Sequence, residues 1–396
     1  MKPLSEKHAS ISESETLAIN AKANALKAQG VKIINFSSGE PDFKTPTFIR
    51  DAAIRFIDKG HIRYTPSAGI LPLKEAICAK LKRDNTLDYK PDEIVVSSGA
   101  KHALYNIFQV LLNPGDEVIV PKPYWTSYPA MIQLAGGQPV FVDTTDNGFD
   151  LEPEKVAAMI TDKTKAILIN SPNNPTGVVY SKEVLEGMKQ LALKHQLYVI
   201  SDEIYEKLIY EGTHISIAAL GQDIKKLTIT VNGLSKSHAM TGWRLGYVAA
   251  EKPIVKAITN LQSHSTSNAS TITQYAALEA LSGDDTEVEM MRQSFLTRRE
   301  MILERIKTIP HIKANHPQGA FYVMLDVQGL FGRKHGHYVI RDVMDVANLF
   351  LEQAHVAMIP GRAFGCDNAL RMSYSTSQSD ITEGLNRMEE LIKAIV

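Results

Sequence analysis

The sequence predicts an α/β protein, with a largely parallel sheet covered by helices on both faces, followed by a smaller α+β domain. Three observations carry this. Short apolar runs of strand length recur through the first part of the chain, as strands buried on both faces do. Stretches with helical length and spacing separate those runs. After about residue 290 the alternation gives way to a long charged helix, one strand-like run and further helices. With 396 residues, the chain has room for about two domains of roughly 150 residues or more each.

From Glu13 to Ala28, Leu17, Ile19 and Leu26 mix with Ala and Lys in a helix-competent stretch that stops before Gly30. The short run Ile33-Ile34-Asn35-Phe36 is a strand, and Ser38-Gly39-Glu40-Pro41-Asp42-Phe43 is a loop punctuated by Gly and Pro. Buried strands follow at Glu93–Val96, Glu117–Val120, Ala166–Ile169, Tyr198–Ile200 and Leu227–Val231, with helical patterns at Lys101–Leu112 and Ser181–His195 between them. The charged stretch Arg292–Ile306 is a helix, and Phe321-Tyr322-Val323-Met324-Leu325 is a strand.

Composition narrows the function. Hydrophobic residues make up 44% and charged residues 22%, so a disordered or coiled-coil chain is a poor fit. Lys and Arg number 43 against 44 Asp and Glu, and this balance offers no bulk field for nucleic acid or anionic lipid. Cys78 and Cys366 stand in no metal or disulfide spacing. The N-terminus lacks a signal-like apolar core, and no apolar run reaches the roughly 18 residues of a membrane span. A cytoplasmic protein with reduced thiols is expected. No metal site is expected either, since His335 and His337 fall in a Gly-containing loop.

The chemistry-bearing stretches sit at strand ends. After Val231 comes Gly233-Leu234-Ser235-Lys236, then Gly242-Trp243-Arg244-Leu245-Gly246. A desolvated lysine there, near an arginine, can have a depressed pKa and attack a carbonyl, and Arg244 can clamp an anion. The alternative is a solvent-facing lysine in a Gly-rich loop. Asp202 and Tyr205 follow the run Tyr198–Ile200, where open α/β sheets build sites, although an Asp there can equally cap a helix. Asn170–Gly177 follows another strand and contains Asn174 within a turn-forming sequence. Ser97-Ser98-Gly99-Ala100-Lys101 joins a strand to a helix, whose free N–H groups suit a phosphate.

Together these stretches resemble the fold-type I, pyridoxal-phosphate-dependent aminotransferases of class I, and within them the bacterial aspartate aminotransferases. The resemblance runs from Ser14 to Arg371. It is most specific in the lysine signature, with Gly two residues before and two after Arg244, and in Asn-Pro-Thr-Gly and Asp-Glu-Ile-Tyr in that order. It implies a mostly parallel seven-stranded sheet and three regions. These are an N-terminal segment (1–40) packing with the small domain, a large cofactor-binding domain (41–290) and a small C-terminal domain (291–396).

The resemblance also implies roles. Lys236 would hold pyridoxal 5'-phosphate as a Schiff base and act as the proton-moving base. Asp202 would pair with the pyridine nitrogen, Tyr205 and Asn174 with the phenolic oxygen, and Trp125 would stack on the ring. Arg244 would take the phosphate with the N–H groups of Gly99, Ala100 and Lys101, and Tyr64 would reach it from the second subunit of a homodimer. One departure is Gly233, where many relatives have a phosphate-binding serine. Arg371 and Gly39 would hold the substrate α-carboxylate, with Trp125 and Asn174 also at the substrate. Lys101, Ser14 and Thr16 would take the distal carboxylate, their plainer alternative being a solvated helix face and a cap. The activity implied is exchange of amino and keto groups between L-aspartate and 2-oxoglutarate. The rivals are a broader aspartate/prephenate or aromatic aminotransferase, a β-lyase using the same lysine, and a non-catalytic pyridoxal-phosphate-binding regulator.

Overall fold

The computed structural model describes residues 15–396, except for the side chains of Glu15, Thr16, Leu17, Ala18 and Asn20. Its strands in chain order are β1 (Ile34–Asn35), β2 (Ile94–Ser97), β3 (Glu117–Lys122), β4 (Gln138–Asp143), β5 (Thr164–Asn170), β6 (Tyr198–Asp202), β7 (Thr228–Gly233), β8 (Gly246–Ala249), β9 (Lys313–Ala314), β10 (Tyr322–Asp326), β11 (Lys334–His335), β12 (Tyr338–Val339), β13 (Val356–Ala357), β14 (Ile359–Pro360) and β15 (Ala369–Ser373).

The central sheet has seven strands in the order β2-β8-β7-β6-β5-β3-β4. All neighbours run parallel except β8, which is antiparallel to both β2 and β7. Period-two alternation explains why the strand sequences are apolar throughout. Ala166, Leu168 and Ile200 pack into one helical layer, while Ile167, Ile169 and Val199 pack into the layer on the opposite face. The helix Ala100–Leu111 covers the first face and Lys182–His195 the second. The latter starts at Ser181, whose hydroxyl accepts from Val184 N at 3.3 Å, an ordinary N-cap.

Two features of the sheet differ from the sequence reading. The strand β8 lies inside what reads as a glycine-punctuated loop. Gly246 permits it, because a Cβ at that position would collide with Ala100 N and Gly99 C at the start of the neighbouring helix. The edge strand β4, not among the expected strands, carries the apolar run Val140-Phe141-Val142 behind Pro139 but is exposed at both ends and fully buried only at Val142.

A four-stranded sheet, β14-β15-β10-β9, is antiparallel and packs with the helices Thr286–Ile306, Val343–Glu352 and Gln378–Lys393 around Phe295, Phe321, Tyr322, Phe350 and Leu385. The helix Thr286–Ile306 begins one and a half turns before the predicted Arg292. Its charge is partly internal: Arg298 pairs with both oxygens of Asp42 at 2.7 and 2.9 Å, and Arg299 donates to Pro317 O at 2.6 Å. The strand β1 pairs in parallel with β13, and Ile34 and Phe36 join the same apolar cluster. Among the described residues, no helix is long and apolar enough to cross a membrane.

Candidate active site

Strand endings build the site. The runs seen in sequence extend one or more residues further as strands, so Asn170 and Asp202 are the last residues of β5 and β6, and Gly233 is the last of β7. They open onto a cavity of about 940 Å³. Its wall is completed by Tyr322 and Arg371 from the antiparallel sheet and by the Ser37–Glu40 loop. The cavity thus lies at the carboxyl ends of parallel strands, where this architecture leaves room for ligands.

The Lys236 ammonium group reaches across this cavity and donates to Gly39 O at 2.6 Å. Its pKa is pushed down to about 8, first by burial, with Arg371 and Arg244 adding and Glu40 and Asp202 opposing. Against the ordinary 10.5, that raises the free-amine fraction near neutrality by about 300-fold. Asp202 is 3% exposed. It accepts from Tyr128 Oη at 2.8 Å and from Ile204 N at 3.3 Å. Burial pushes its carboxyl up to about 6 against those hydrogen bonds.

The Asn170–Gly177 stretch folds on its own side chains. Asn174 N donates to Asn170 Oδ1 at 2.9 Å, Asn170 Nδ2 donates to Asp202 O at 3.0 Å, and the backbone and hydroxyl of Thr176 donate to Asn173 Oδ1 at 3.1 and 2.9 Å. Gly177 closes the turn at φ +70°, with Pro317 and Gly319 too close for any Cβ. The Asn174 amide is therefore held at the cavity wall, where Arg371 Nη1 donates to its Oδ1 at 3.2 Å.

Arg371 is 4% exposed. Its Nη2 donates to Ser37 O at 2.9 Å, and its guanidinium lies 4.5 Å from the Tyr322 ring centre and 4.8 Å from that of Phe364. Among the described residues Nε has no partner. A buried guanidinium held by rings and a carbonyl, with one N–H left over, suits a carboxylate. Burial also pulls its pKa below the usual arginine range. Tyr205 Oη lies 3.0 Å from Tyr322 Oη, and its pKa is raised by burial.

An anion cradle forms where β2 meets the helix Ala100–Leu111. Gly99 has φ +91°, and a Cβ there would lie 2.5 Å from Arg244 Nη2. The missing side chain therefore lets the guanidinium sit against the helix start. Arg244, itself in left-handed backbone at φ +55°, donates through Nη1 to Thr241 O at 2.8 Å. The first helical N–H groups, those of Ala100 and Lys101, have no intrahelical acceptor and point outward. Gly99 departs from expectation, because its N–H turns back to Ser97 O at 2.8 Å. The Lys101 ammonium group lies 4.8 Å from the Trp125 ring centre, with its pKa lowered by burial and then by Arg244. These residues fit a phosphorylated aldehyde: an anion cradle, a lysine with depressed pKa and a buried carboxylate share one cavity.

Other candidates are not brought together here. Tyr64 is 90% exposed and does not line this chain's cavity. Ser14 and the side chain of Thr16 lie outside the described residues. Sequence reasoning missed Tyr322, hidden in an apolar strand run, and Tyr128, whose only signal was its place three residues beyond Trp125. Outside the cavity, Glu203, Glu206 and His214 approach within 4.8 Å of one another in an arrangement that could hold a metal ion. The carboxylate oxygens of both glutamates are already taken. Lys80 and Asn85 donate to Glu206, and Ser201, Ser216 and His214 contact Glu203. The cluster is a buried ion-pair network.

The family model for aminotransferase class I and II matches residues 31–388. The chain is 49% identical over 385 residues to an aspartate aminotransferase of Bacillus sp. (strain YM-2), which covers 97% of each chain. It is 43% identical to the aspartate/prephenate aminotransferase of Thermus thermophilus, over 99% of both. The solved structure of a Thermus thermophilus aspartate aminotransferase with maleate superposes with a TM-score of 0.93 at 44% identity, covering 99% of this chain and all of that one. A cavity with this lysine, carboxylate and arginine set, and a match over nearly the whole length, lead to one statement: the chain belongs to the pyridoxal-phosphate-dependent aminotransferases of class I and II.

Proposed function

We propose that the protein transfers the amino group of L-aspartate to 2-oxoglutarate, giving oxaloacetate and L-glutamate in a ping-pong cycle. Arg371 carries the substrate half of this reading: it is buried, ring-flanked and, among the described residues, left with an unpartnered Nε–H, and it lines the same cavity as Lys236. When bound, pyridoxal phosphate supplies an aldehyde carbon that takes and returns nitrogen, and a ring that accepts electrons.

Arg244 and the N–H groups of Ala100 and Lys101 would hold the phosphate. Lys236 would hold the cofactor covalently and, when released as a free amine, would carry a proton away from the substrate α-carbon. Asp202 would keep a proton on the ring nitrogen, Tyr205 and Asn174 would bind the ring oxygen, and Trp125 would pack on the ring. Arg371 takes the α-carboxylate, with the Gly39 backbone beside it. Lys101 takes the distal carboxylate, aided by Ser14 and Thr16. A point-charge lysine discriminates side chains less strictly than a bidentate arginine, so prephenate or aromatic acids are the second reading. Two relatives' names, one aspartate and one aspartate/prephenate, support that pair of readings. Residues 41–290 form the cofactor domain, and 291–396 with 1–40 the smaller one. In a cytoplasmic homodimer, Tyr64 reaches the partner's phosphate, which gives a reason for so exposed a tyrosine.

The test is a half-reaction titration of cofactor-loaded protein with aspartate, glutamate, phenylalanine and alanine, following the visible band of the lysine-bound cofactor. Selective loss of that band with the two dicarboxylates supports the proposal. Comparable loss with phenylalanine moves the assignment to the broader enzyme, and release of pyruvate and ammonia from an added cysteine S-conjugate, without net amination of the cofactor, points to a β-lyase.

A further inference from the structure

Tyr128 is 1% exposed, and its hydroxyl donates to Asp202 Oδ2 at 2.8 Å. It sits in the first turn of the helix Ser127–Leu134, just after Trp125. The two rings meet edge to face at 5.2 Å and 83°, which fixes the direction of the phenol. Among the described residues, the other Asp202 oxygen receives only the 3.3 Å hydrogen bond from Ile204 N. The neighbouring carboxylate, Glu203, is turned away to Ser201, Ser216 and His214.

A donor on a carboxylate stabilises its charged form and lowers its affinity for a proton. We propose that Tyr128 is a positioning residue that keeps Asp202 anionic and aimed, so that the proton shared with the cofactor rests on the ring nitrogen and not on Asp202. The inference rests on the assignment of Asp202 to that nitrogen. It also gives a use to a buried phenol that packing alone does not require, since a phenylalanine would fill the same space. Burial pushes the Asp202 carboxyl up, and the Tyr128 hydrogen bond is the first of the effects that oppose it.

The test loads wild type, Tyr128→Phe, Asp202→Asn and the double variant with pyridoxal phosphate labelled with nitrogen-15 in the ring. The ring-nitrogen resonance reports where the proton sits, and equilibrium dialysis reports cofactor affinity. Tyr128→Phe should move the resonance toward that of unprotonated pyridine and weaken binding about tenfold, as expected for losing a hydrogen bond to a charged group. In the Asp202→Asn background the same substitution should change affinity less than about twofold. Tyr128→His retains a donor, and should restore the wild-type resonance in part; it also serves if the phenylalanine variant melts early. A resonance unchanged in Tyr128→Phe but shifted in Asp202→Asn overturns the role of Tyr128 alone. A resonance unchanged in Asp202→Asn overturns the assignment of Asp202 as well.

Discussion

Replacing Lys236 by methionine should destroy activity yet stabilise the cofactor-free protein. Its pKa falls from 10.5 to about 8 on folding, so the folded state binds this proton more weakly than the unfolded chain does. At 1.36 kcal/mol per unit, holding the ammonium in the cavity costs about 3 kcal/mol near neutrality. That cost is net of the hydrogen bond to Gly39 O, which is part of the folded environment that sets the pKa. The methionine variant should therefore gain up to about 3 kcal/mol, seen as a higher urea midpoint for the apoprotein. The sign of the pH dependence follows. A lowered folded pKa penalises folding fully below about 8, and the penalty fades as pH rises toward 10.5, where both states lose the proton. The advantage of the variant should be full at pH 7 and nearly gone at pH 10.5. An apoprotein no more stable than wild type at pH 7, or a gain that does not shrink with rising pH, would refute the reasoning. In parallel, borohydride reduction of the loaded wild type should fix the cofactor to the peptide carrying Lys236, and should fix none to that site in the variant.

Arg371→Lys should weaken kcat/KM by roughly 100-fold or more for aspartate and phenylalanine alike, because both present the same α-carboxylate to a buried guanidinium; a loss confined to aspartate would contradict that role. Lys101→Ala should cost aspartate at least about tenfold more in kcat/KM than it costs an aromatic donor, since only aspartate presents a second charge. Equal losses would count against Lys101 as the distal-carboxylate residue. Gly246→Ala should weaken cofactor binding at least about tenfold, because the new methyl displaces the helix start at Ala100; unchanged affinity by dialysis would show that the cradle tolerates the shift. Co-expression of Tyr64→Ala chains with Lys236→Ala chains should give mixed dimers that recover one working site if Tyr64 acts across the interface, and recovery should be absent if it acts within its own chain.

The central sheet was legible in sequence because its strands are buried on both faces, and Ile167 to Ile169 or Val199 to Ile200 leave no ambiguity about burial. The strand β8 was not legible, since its first residue, Gly246, is a glycine that follows Gly242 and Arg244 and reads as loop until its contact with Ala100 is known. Edge strand β4 was missed although it carries the apolar run Val140-Phe141-Val142, because Pro139 and the polar ends Gln138 and Asp143 shorten that run to three residues. At the site, the residues that sit in motifs, Lys236, Asp202, Asn174, Arg244 and Arg371, come together in the wall of one cavity. Tyr322 and Tyr128 were not legible in sequence. They occupy ordinary core positions of a strand and a helix, and only the fold reveals that their hydroxyls meet Tyr205 and Asp202. The commitment of the Gly99 amide to Ser97 was equally invisible, because it follows from one backbone angle.

The charge lining the cavity ties cofactor and substrate recognition together. Lys101, Lys236, Arg244 and Arg371 face it, against the carboxylates of Glu40 and Asp202. This surplus of cations contributes to the depressed pKa values: Arg244 and Arg371 both lower Lys236, and Arg244 lowers Lys101. A phosphate dianion against Arg244 would cancel that contribution and return the Lys101 ammonium toward its ordinary strength as an acid. Lys101 also borders the anion cradle through its backbone N–H, so in the proposed function one residue would touch the phosphate with its main chain and the substrate's far end with its side chain. In that reading a dicarboxylate would meet a lysine whose charge the phosphate has secured, whereas an aromatic side chain would meet Trp125, whose ring lies beside the Lys101 ammonium. The two substrate classes thus compete for the same few ångströms of wall, and their ratio of kcat/KM should fall with rising salt, which screens the first interaction and leaves the second.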